Sequence, residues 1–340
     1  MIKAAILGAS GYTGAELVRL LSEHPNFEVS VVSGDSKAGL NYGEVYPSLN
    51  HLDIPDLCAI NDVNLSNLDV VFCALPHTKS AKIIKDLPRH IKVIDLSADF
   101  RLRDVKQYEK WYDCIHPAPE LLTQVSYGLT EFYRSEIMNS RIIACTGCNA
   151  ATGMYPLLPL MKGGVIDRKE IIINLATGVS GAGRKAKEEI IHSEISEGYT
   201  AYNVSTHRHL AEYDQEFSRE AGEQVRVAFT PHLLPQNRGI LATIYVKGKL
   251  MEIQAALEHR YKNEVFIRVM APNTLISTKH VRGSNFCHLA VCESSKNDVV
   301  IIFSSLDNLI KGSSGQAIQN ANLAFGLEES AGLMSAPIFP

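Results

Sequence analysis

The chain has 340 residues, 46% of them hydrophobic and 21% charged, with a formal net charge of −4. That length suits two domains rather than one, and the mild acidity leaves no electrostatic footprint for nucleic acid or an anionic membrane. No apolar run approaches the ~18 residues a spanning helix needs. No basic leader precedes the first strand, so no signal peptide is expected, and the seven scattered cysteines suit reduced thiols in the cytoplasm.

Ile2 to Leu7 reads as a compact apolar strand, followed by Gly8-Ala9-Ser10-Gly11-Tyr12-Thr13-Gly14. Leu17, Val18, Leu20 and Leu21 then recur at helical spacing up to Pro25, and Phe27 to Val32 forms a second strand. Strand, glycine turn, helix and strand within about 30 residues is the context of a dinucleotide site, with the pyrophosphate on the helix N-terminus. The other reading of these glycines is close helix–strand packing alone. After the second strand, Ser33, Ser36 and Lys37 favour the 2′-phosphate of NADP, whereas Asp35 is placed to hold a free ribose hydroxyl.

Val70 to Leu75 is a third strand, ending at Pro76-His77 before a helix over Lys79 to Leu87. Val93 to Leu96 is a fourth, running into Ser97-Ala98-Asp99-Phe100-Arg101. Both carboxyl ends fall where parallel α/β sheets bind ligands, making His77 a site candidate or a surface turn residue, and Arg101 a candidate anion clamp. Residues 103–140 are polar and give no clear pattern.

Next comes Arg141-Ile-Ile-Ala-Cys145-Thr-Gly-Cys148-Asn149, a short buried strand, a turn at Gly147, and a helix opening at Cys148. A cysteine in the first turn of a helix sits among uncommitted N–H groups at the positive dipole end, which favours the nucleophilic thiolate. The alternative is a buried, inert cysteine. Cys145-x-x-Cys148 also has the form of a redox or zinc pair, but no second pair completes a zinc site and Cys145 belongs to a strand, so no metal is expected.

Glu170 to Ala176 is a strand leading to Thr177-Gly-Val-Ser180-Gly181-Ala-Gly-Arg184, which reads as an anion-holding loop or an ordinary flexible one, and then a charged helix through Ile195. Tyr202 to Glu212 contains His207 and His209, acid–base candidates beside a thiolate or a weak His-x-His metal pattern. Val225 to Phe229 and Gly239 to Val246 read as two strands joined by a turn around Pro231–Pro235. A helix over Glu252 to Lys262 and strands near Val265–Met270, Cys287–Cys292 and Val299–Leu306 follow. Strands in runs suggest an α+β domain with a mostly antiparallel sheet. The closing helix, Ala317 to Leu327, should return to the first sheet. The expected fold class is therefore α/β, a cofactor domain over 1–147 plus 308–340 with an inserted α+β domain over 148–307.

A nicotinamide cofactor, a helix-start cysteine and nearby imidazoles together fit thioester chemistry on an acyl phosphate, reduced to an aldehyde. The ordered motifs, from Gly8 to Gly14 through Asp95 to Leu102, Gly147-Cys148, Ser180 to Arg184, His207 to His209 and Asp307 to Gln316, resemble those of the N-acetyl-gamma-glutamyl-phosphate reductases. The resemblance spans nearly the whole chain. It implies a Rossmann NADP-binding domain with an inserted catalytic domain of the aspartate-semialdehyde dehydrogenase type, NADPH as cofactor, a place in arginine biosynthesis, and a homodimer or homotetramer. It further implies Cys148 as acyl carrier, His209 or else His207 as acid–base group, and Gly8, Ser10, Gly11, Tyr12, Thr13 and Gly14 as cofactor residues. Pro76, His77, Gly315, Gln316 and Asn320 would line the cofactor, and Arg101, Asn149, Ser180, Gly181 and Arg184 the substrate. Two positions depart from the family pattern: Thr146 where proline is common and Asn149 where an aromatic is common. Gly-Cys-Asn-Ala is similar to relatives that reduce carrier-bound aminoadipyl phosphate, and aspartyl phosphate reductases are a further alternative. A cofactor-sensing protein without turnover is the reading from another class.

Overall fold

The computed structural model describes residues 1–338, which fall into two compact units: Met1–Thr146 with Ser313–Met334, and Gly147–Gly312 with the tail from Ser335. The chain thus returns to the first unit at Ser313 rather than at residue 308. The reason is local, since the Asp307 carboxylate accepts the N–H groups of Gly283 and Leu309, each at 2.8 Å, and so holds this stretch in the second unit. The tail likewise belongs to the second unit, where Ile338 N–H donates to Arg282 O at 2.8 Å. Residues 339 and 340, placed by the sequence reading in the first domain, lie outside the described residues.

The first unit holds β1 (Ile2–Leu7), β2 (Phe27–Ser33), β3 (Val70–Cys73), β4 (Lys92–Asp95), β5 (Val125–Tyr127) and β6 (Ile142–Ala144). They form one parallel sheet in the order β2-β1-β3-β4-β6-β5. One face carries Ala5, Leu7, Val71, Cys73, Val93 and Ala144 against Ala81 and Ile84 of the helix Lys79–Asp86. Burial on both faces is why these strands read as continuous apolar runs. The chain reverses direction across the sheet between β1 and β3, so the turns after these two strands meet at a topological switch point. The helix Gly315–Ala324 packs on β4 and against the helices Tyr12–Ser22 and Thr130–Asn139.

The patternless stretch 103–140 contains the helices Val105–Tyr112 and Thr130–Asn139 as well as β5. The first is anchored by stacked Tyr108 and Tyr112, 4.6 Å apart, and opened by Asp104, whose side chain accepts Lys106 N–H. Aromatics among charges carry its core face, which conceals the usual aliphatic period.

The second unit holds β7 (Ile172–Gly178), β8 (Thr200–Ala201), β9 (Ala228–Leu234), β10 (Ile240–Lys247), β11 (Ile267–Val269), β12 (Cys287–Glu293) and β13 (Val299–Leu306). Their order is β11-β12-β13-β10-β7-β9-β8, with β7–β9 and β11–β12 parallel and the other pairs antiparallel. The helix Cys148–Leu157 packs on β7, β10 and β13, and the helix Leu250–Tyr261 on β11 and β12. Alternation along β10 turns Ala242, Ile244 and Val246 inward, while Leu241 and Tyr245, with Ile301 and Phe303 of β13, stay half-buried on the other face.

Three expectations fail here. The strands β9 and β10 are not a hairpin, because β7 lies between them. Pro231, expected in a turn, sits inside β9, where the outer neighbour among the described residues is the two-residue β8 and few ladder donors are needed. The charged helix through Ile195 is reduced to single turns at Glu188–Ile190 and His192–Ile195. Residues 183–189 are all exposed, so that segment has no apolar stripe to bury and a short helix there gains little.

Candidate active site

The first unit presents the glycine turn at its switch point. Gly8 adopts φ +87°, and a Cβ there would lie 2.4 Å from Ala74 O at the end of β3. A Cβ on Gly14 would lie 2.4 Å from Gly8 O and 2.6 Å from Ala9 Cα, so both positions demand glycine for packing. Gly11 differs, because its Cβ would meet only Gly8 O at an ordinary 3.5 Å and otherwise enter open space. It is the N-cap of the helix Tyr12–Ser22, with no side chain capping the helix N–H groups. A cradle kept open at a helix start fits a dinucleotide's pyrophosphate. Tyr42 and Tyr46 hold the turn from outside by donating to the carbonyls of Ala9 (3.0 Å) and Ser10 (2.9 Å), and Ser314 Oγ donates to Thr13 O (2.9 Å).

Beyond β2 the expected residues separate. Ser33 is fully buried, its Oγ accepting Gly8 N–H at 3.4 Å, so it braces the turn instead of facing a ribose phosphate. Ser36 and Lys37 lie exposed in the turn Asp35–Lys37. The Asp35 carboxylate accepts Ile60 N–H at 3.1 Å. His77 is half-buried beside the Tyr112 ring, 5.7 Å away, and the turn after Pro76 is held by Asp99, which accepts Thr78 N–H at 2.7 Å and Ala81 N–H at 2.9 Å.

Three expected site residues hydrogen-bond within the first unit. Arg101 Nε donates to Cys145 O (2.8 Å) and Nη2 to Leu96 O (3.1 Å), tying the carboxyl ends of β4 and β6 together. Asn320, fully buried, accepts from Thr130 Oγ1 (2.7 Å) and donates to Gly128 O (2.9 Å) and toward Cys145 Sγ (3.7 Å). Gln316 Oε1 accepts from Thr146 Oγ1 at 2.5 Å, which explains a hydroxyl at that position. Gly315, buried, opens the same helix.

The second unit gathers the reactive side chains. Cys148 is the first residue of the helix Cys148–Leu157, with Gly147 as N-cap. The helix His209–Ala221 lies against it, allowed by Gly153, whose Cβ would fall 2.4 Å from Tyr213 Oη. That hydroxyl donates to Asn149 O at 2.5 Å and locks the two helices in register. The His209 ring covers Gly147, where a Cβ would lie 2.2 Å from its Nε2. Glu212, one helical turn on and fully buried, lies 3.8 Å from that Nε2 and accepts Gly147 N–H at 3.1 Å. His207 packs edge-on to His209 at 4.6 Å, and its Nδ1 accepts His209 N–H at 3.1 Å. Burial, with the neighbouring His209 and Arg208 charges, pushes the His207 pKa down to about 3, so its ring is neutral. Asn149 is buried beside Tyr202 and His207. Burial raises Cys145 to about 12, leaving it an inert thiol. Ser180 Oγ accepts from Asn308 Nδ2 at 2.9 Å, while Gly181 and Arg184 are exposed. Sequence reasoning passed over Glu212, Tyr202 and Tyr213; the i,i+3 spacing of His209 and Glu212 was the available signal for the first.

Residues 3–140 match the family described as semialdehyde dehydrogenase, NAD binding domain, and residues 148–308 its dimerisation domain. The chain is 56% identical over 339 residues, 99% of each chain, to the N-acetyl-gamma-glutamyl-phosphate reductase of Rhodobacter capsulatus. It belongs to the N-acetyl-gamma-glutamyl-phosphate reductase family. Outside these reductases the fold extends to aspartate semialdehyde dehydrogenase II of Vibrio cholerae, solved in complex with ASA. That structure has a TM-score of 0.72 at 16% identity, covering 96% of this chain and 98% of that one. The Candida albicans aspartate semialdehyde dehydrogenase with NADP gives a TM-score of 0.68 at 17% identity, over 95% and 98% of the two chains. At such identities the likeness is one of fold, an NAD-binding domain joined to a dimerisation domain. Among the described residues no helix is long and apolar enough to cross a membrane.

Proposed function

We propose that the chain reduces N-acetyl-glutamyl 5-phosphate to N-acetyl-glutamate 5-semialdehyde and phosphate, the reductase step of arginine biosynthesis, through a thioester on Cys148. The observation that carries this reading is a helix-start cysteine whose preceding residue, Gly147, is covered by His209 and bonded to Glu212, in a chain 56% identical over its length to such a reductase. Bound NADPH supplies the hydride that reduces the thioester. Gly11 leaves room for its pyrophosphate at the open helix start, and exposed Ser36 and Lys37 suit its 2′-phosphate, with Asp35 engaged by Ile60.

Cys148 Sγ attacks the acyl carbon and the phosphate leaves with the bonding pair, which makes the thioester. His209 takes the thiol proton as sulfur attacks and returns it as sulfur departs from the aldehyde carbon, with the Glu212 carboxylate 3.8 Å from its Nε2. His207, held neutral, orients the start of that helix instead. The loop Ser180 to Arg184 offers an exposed guanidinium to the substrate's anionic groups. Arg101 we assign to the strand ends and not to the substrate.

A homodimer or homotetramer fits the half-buried face formed by Leu241, Tyr245, Ile301 and Phe303. Phe303→Asp should then yield monomers by sedimentation. A cytoplasmic setting fits seven free cysteines, one of which must stay reduced. The deciding assay runs the reaction backwards with N-acetylglutamate semialdehyde, NADP and phosphate. Phosphate-dependent NADPH formation is expected, and its absence refutes the reading. Aspartate semialdehyde and a carrier-bound aminoadipate semialdehyde, tried in parallel, test the alternatives raised by Asn149.

A further inference from the structure

Asn149 sits next to the reacting sulfur, 2% exposed, and its amide has three polar neighbours. In the orientation described, Oδ1 lies 3.7 Å from Cys148 Sγ, and Nδ2 lies 3.2 Å from Tyr202 Oη and 3.5 Å from His207 Nε2. Amide oxygen and nitrogen have nearly the same shape, so the hydrogens around them decide which is which.

Those hydrogens are fixed from the backbone outward. The N–H of His209 donates to His207 Nδ1 at 3.1 Å, which places a lone pair on that nitrogen. A neutral imidazole with an acceptor at Nδ1 carries its proton on Nε2. The His207 ring is neutral at physiological pH because burial opposes its charge. Its Nε2–H therefore faces the nearer amide atom, and an amide NH₂ there would set donor against donor. An amide oxygen accepts it. The Tyr202 hydroxyl, which burial keeps protonated up to about 12, donates to the same oxygen.

We infer that the Asn149 amide is turned the other way, its oxygen held by Tyr202 Oη–H and His207 Nε2–H and its NH₂ aimed at Cys148 Sγ. The sulfur then has a side-chain donor in addition to the helix start, and the thiolate is the form that uses both. This assignment rests on Cys148 being the nucleophile. It makes Asn149 a positioning donor for the sulfur in place of the substrate contact expected from its place in the motif. The chain of command is His209 N–H to His207, His207 to Asn149, and Asn149 to Cys148.

The test is the apparent pKa of the Cys148 thiol in the full chain, read from the pH dependence of its alkylation by iodoacetamide, with Cys148→Ser as the blank. Asn149→Leu removes the donor at similar volume, and the thiol pKa should rise by about one to two pH units, as expected for a lost hydrogen bond to a charged group. Asn149→Asp replaces the donor by a carboxylate and should raise it at least as far. Tyr202→Phe releases one of the two holds on the oxygen and should raise it by less. A substrate-contact role would instead raise KM and leave the thiol pKa in place. An unchanged thiol pKa in Asn149→Leu overturns the inference, as does an unchanged or lower one in Asn149→Asp. Should Asn149→Leu fail to melt cooperatively, Asn149→Asp and Tyr202→Phe decide by the same readout. Because that readout needs no substrate, a wild-type chain inactive in the reverse assay refutes the proposed reaction without touching the amide assignment.

Discussion

Gly147→Ala separates the geometry of the site from the stability of the fold. The backbone at Gly147, φ −68° and ψ 143°, suits alanine, so the substitution brings no conformational strain. The new Cβ would stand 2.2 Å from His209 Nε2 and 2.6 Å from Cδ2 and Cε1. Ordinary contact begins at 3.4 Å, so the ring must retreat by about 1.2 Å. The clash is with the far end of one side chain, and the Gly147 N–H bond to Glu212 needs no Cβ-free residue, so stability should change by only about 1 kcal/mol. A misplacement of about 1 Å in a proton-transfer group costs on the order of 100-fold, or about 2.7 kcal/mol of barrier. The expected result is a kcat about 100-fold lower in the reverse assay, with a melting temperature within a few degrees of wild type and Cys148 still alkylated. A kcat within threefold of wild type in a folded Gly147→Ala protein would refute His209 as the acid–base group.

Cys148→Ser should abolish turnover, whereas Cys145→Ser should leave kcat within a few-fold, since that thiol is buried and held near 12; equal loss in steady-state assays of both would sink the single-nucleophile reading. Gly8→Ala should cost about 2–4 kcal/mol in chemical denaturation, because its Cβ meets a backbone carbonyl and its φ is positive. Gly11→Ala should melt like wild type yet bind NADPH at least tenfold more weakly by fluorescence titration, and normal binding would remove the pyrophosphate from that cradle. For His207, folding lowers the pKa from 6.5 to about 3, so the unfolded chain binds more protons between those values. Its contribution to stability is complete above about pH 6.5 and is lost as the pH falls toward 3, so His207→Gln should show a shallower fall in melting temperature on acidification; an equally steep fall counts against a neutral His207.

What could be read from the sequence follows from how each signal is encoded. The parallel strands and the first glycine turn announce themselves because doubly buried strands are continuous apolar runs and because Gly8 and Gly14 have no tolerated alternative. The helix Val105–Tyr112 was hidden because its core face is aromatic and interrupted by charge. The false hairpin at residues 225–246 arose because adjacency in sequence says nothing about a third strand inserted between two others, and β7 comes from far earlier in the chain, its Ile172 pairing with Ala228. Within the site, residue identity announced Cys148 and the histidines. Which histidine is neutral depends on burial and on a backbone N–H, and neither is written in the spacing. Ser33, Gln316 and Asn320 carried the right residue types for a ligand but spend their polar groups inside the first unit.

The first unit is closed by a helix that leaves the ribosome only after every strand of the second unit. Thr130, Thr146 and Glu131 find their buried partners in Asn320, Gln316 and Gln319, all on the helix Gly315–Ala324. Throughout synthesis of the intervening segment these partners on the closing helix are missing, and the sheet beneath lacks that helix as a cover. The second unit, whose strands end at Leu306, has its sheet complete before the first unit receives its final helix. Maturation of the cofactor-binding half therefore waits on synthesis of the whole second sheet, and a ribosome stalled or a chain clipped before residue 315 leaves a first unit with exposed apolar sheet, marked for aggregation or proteolysis.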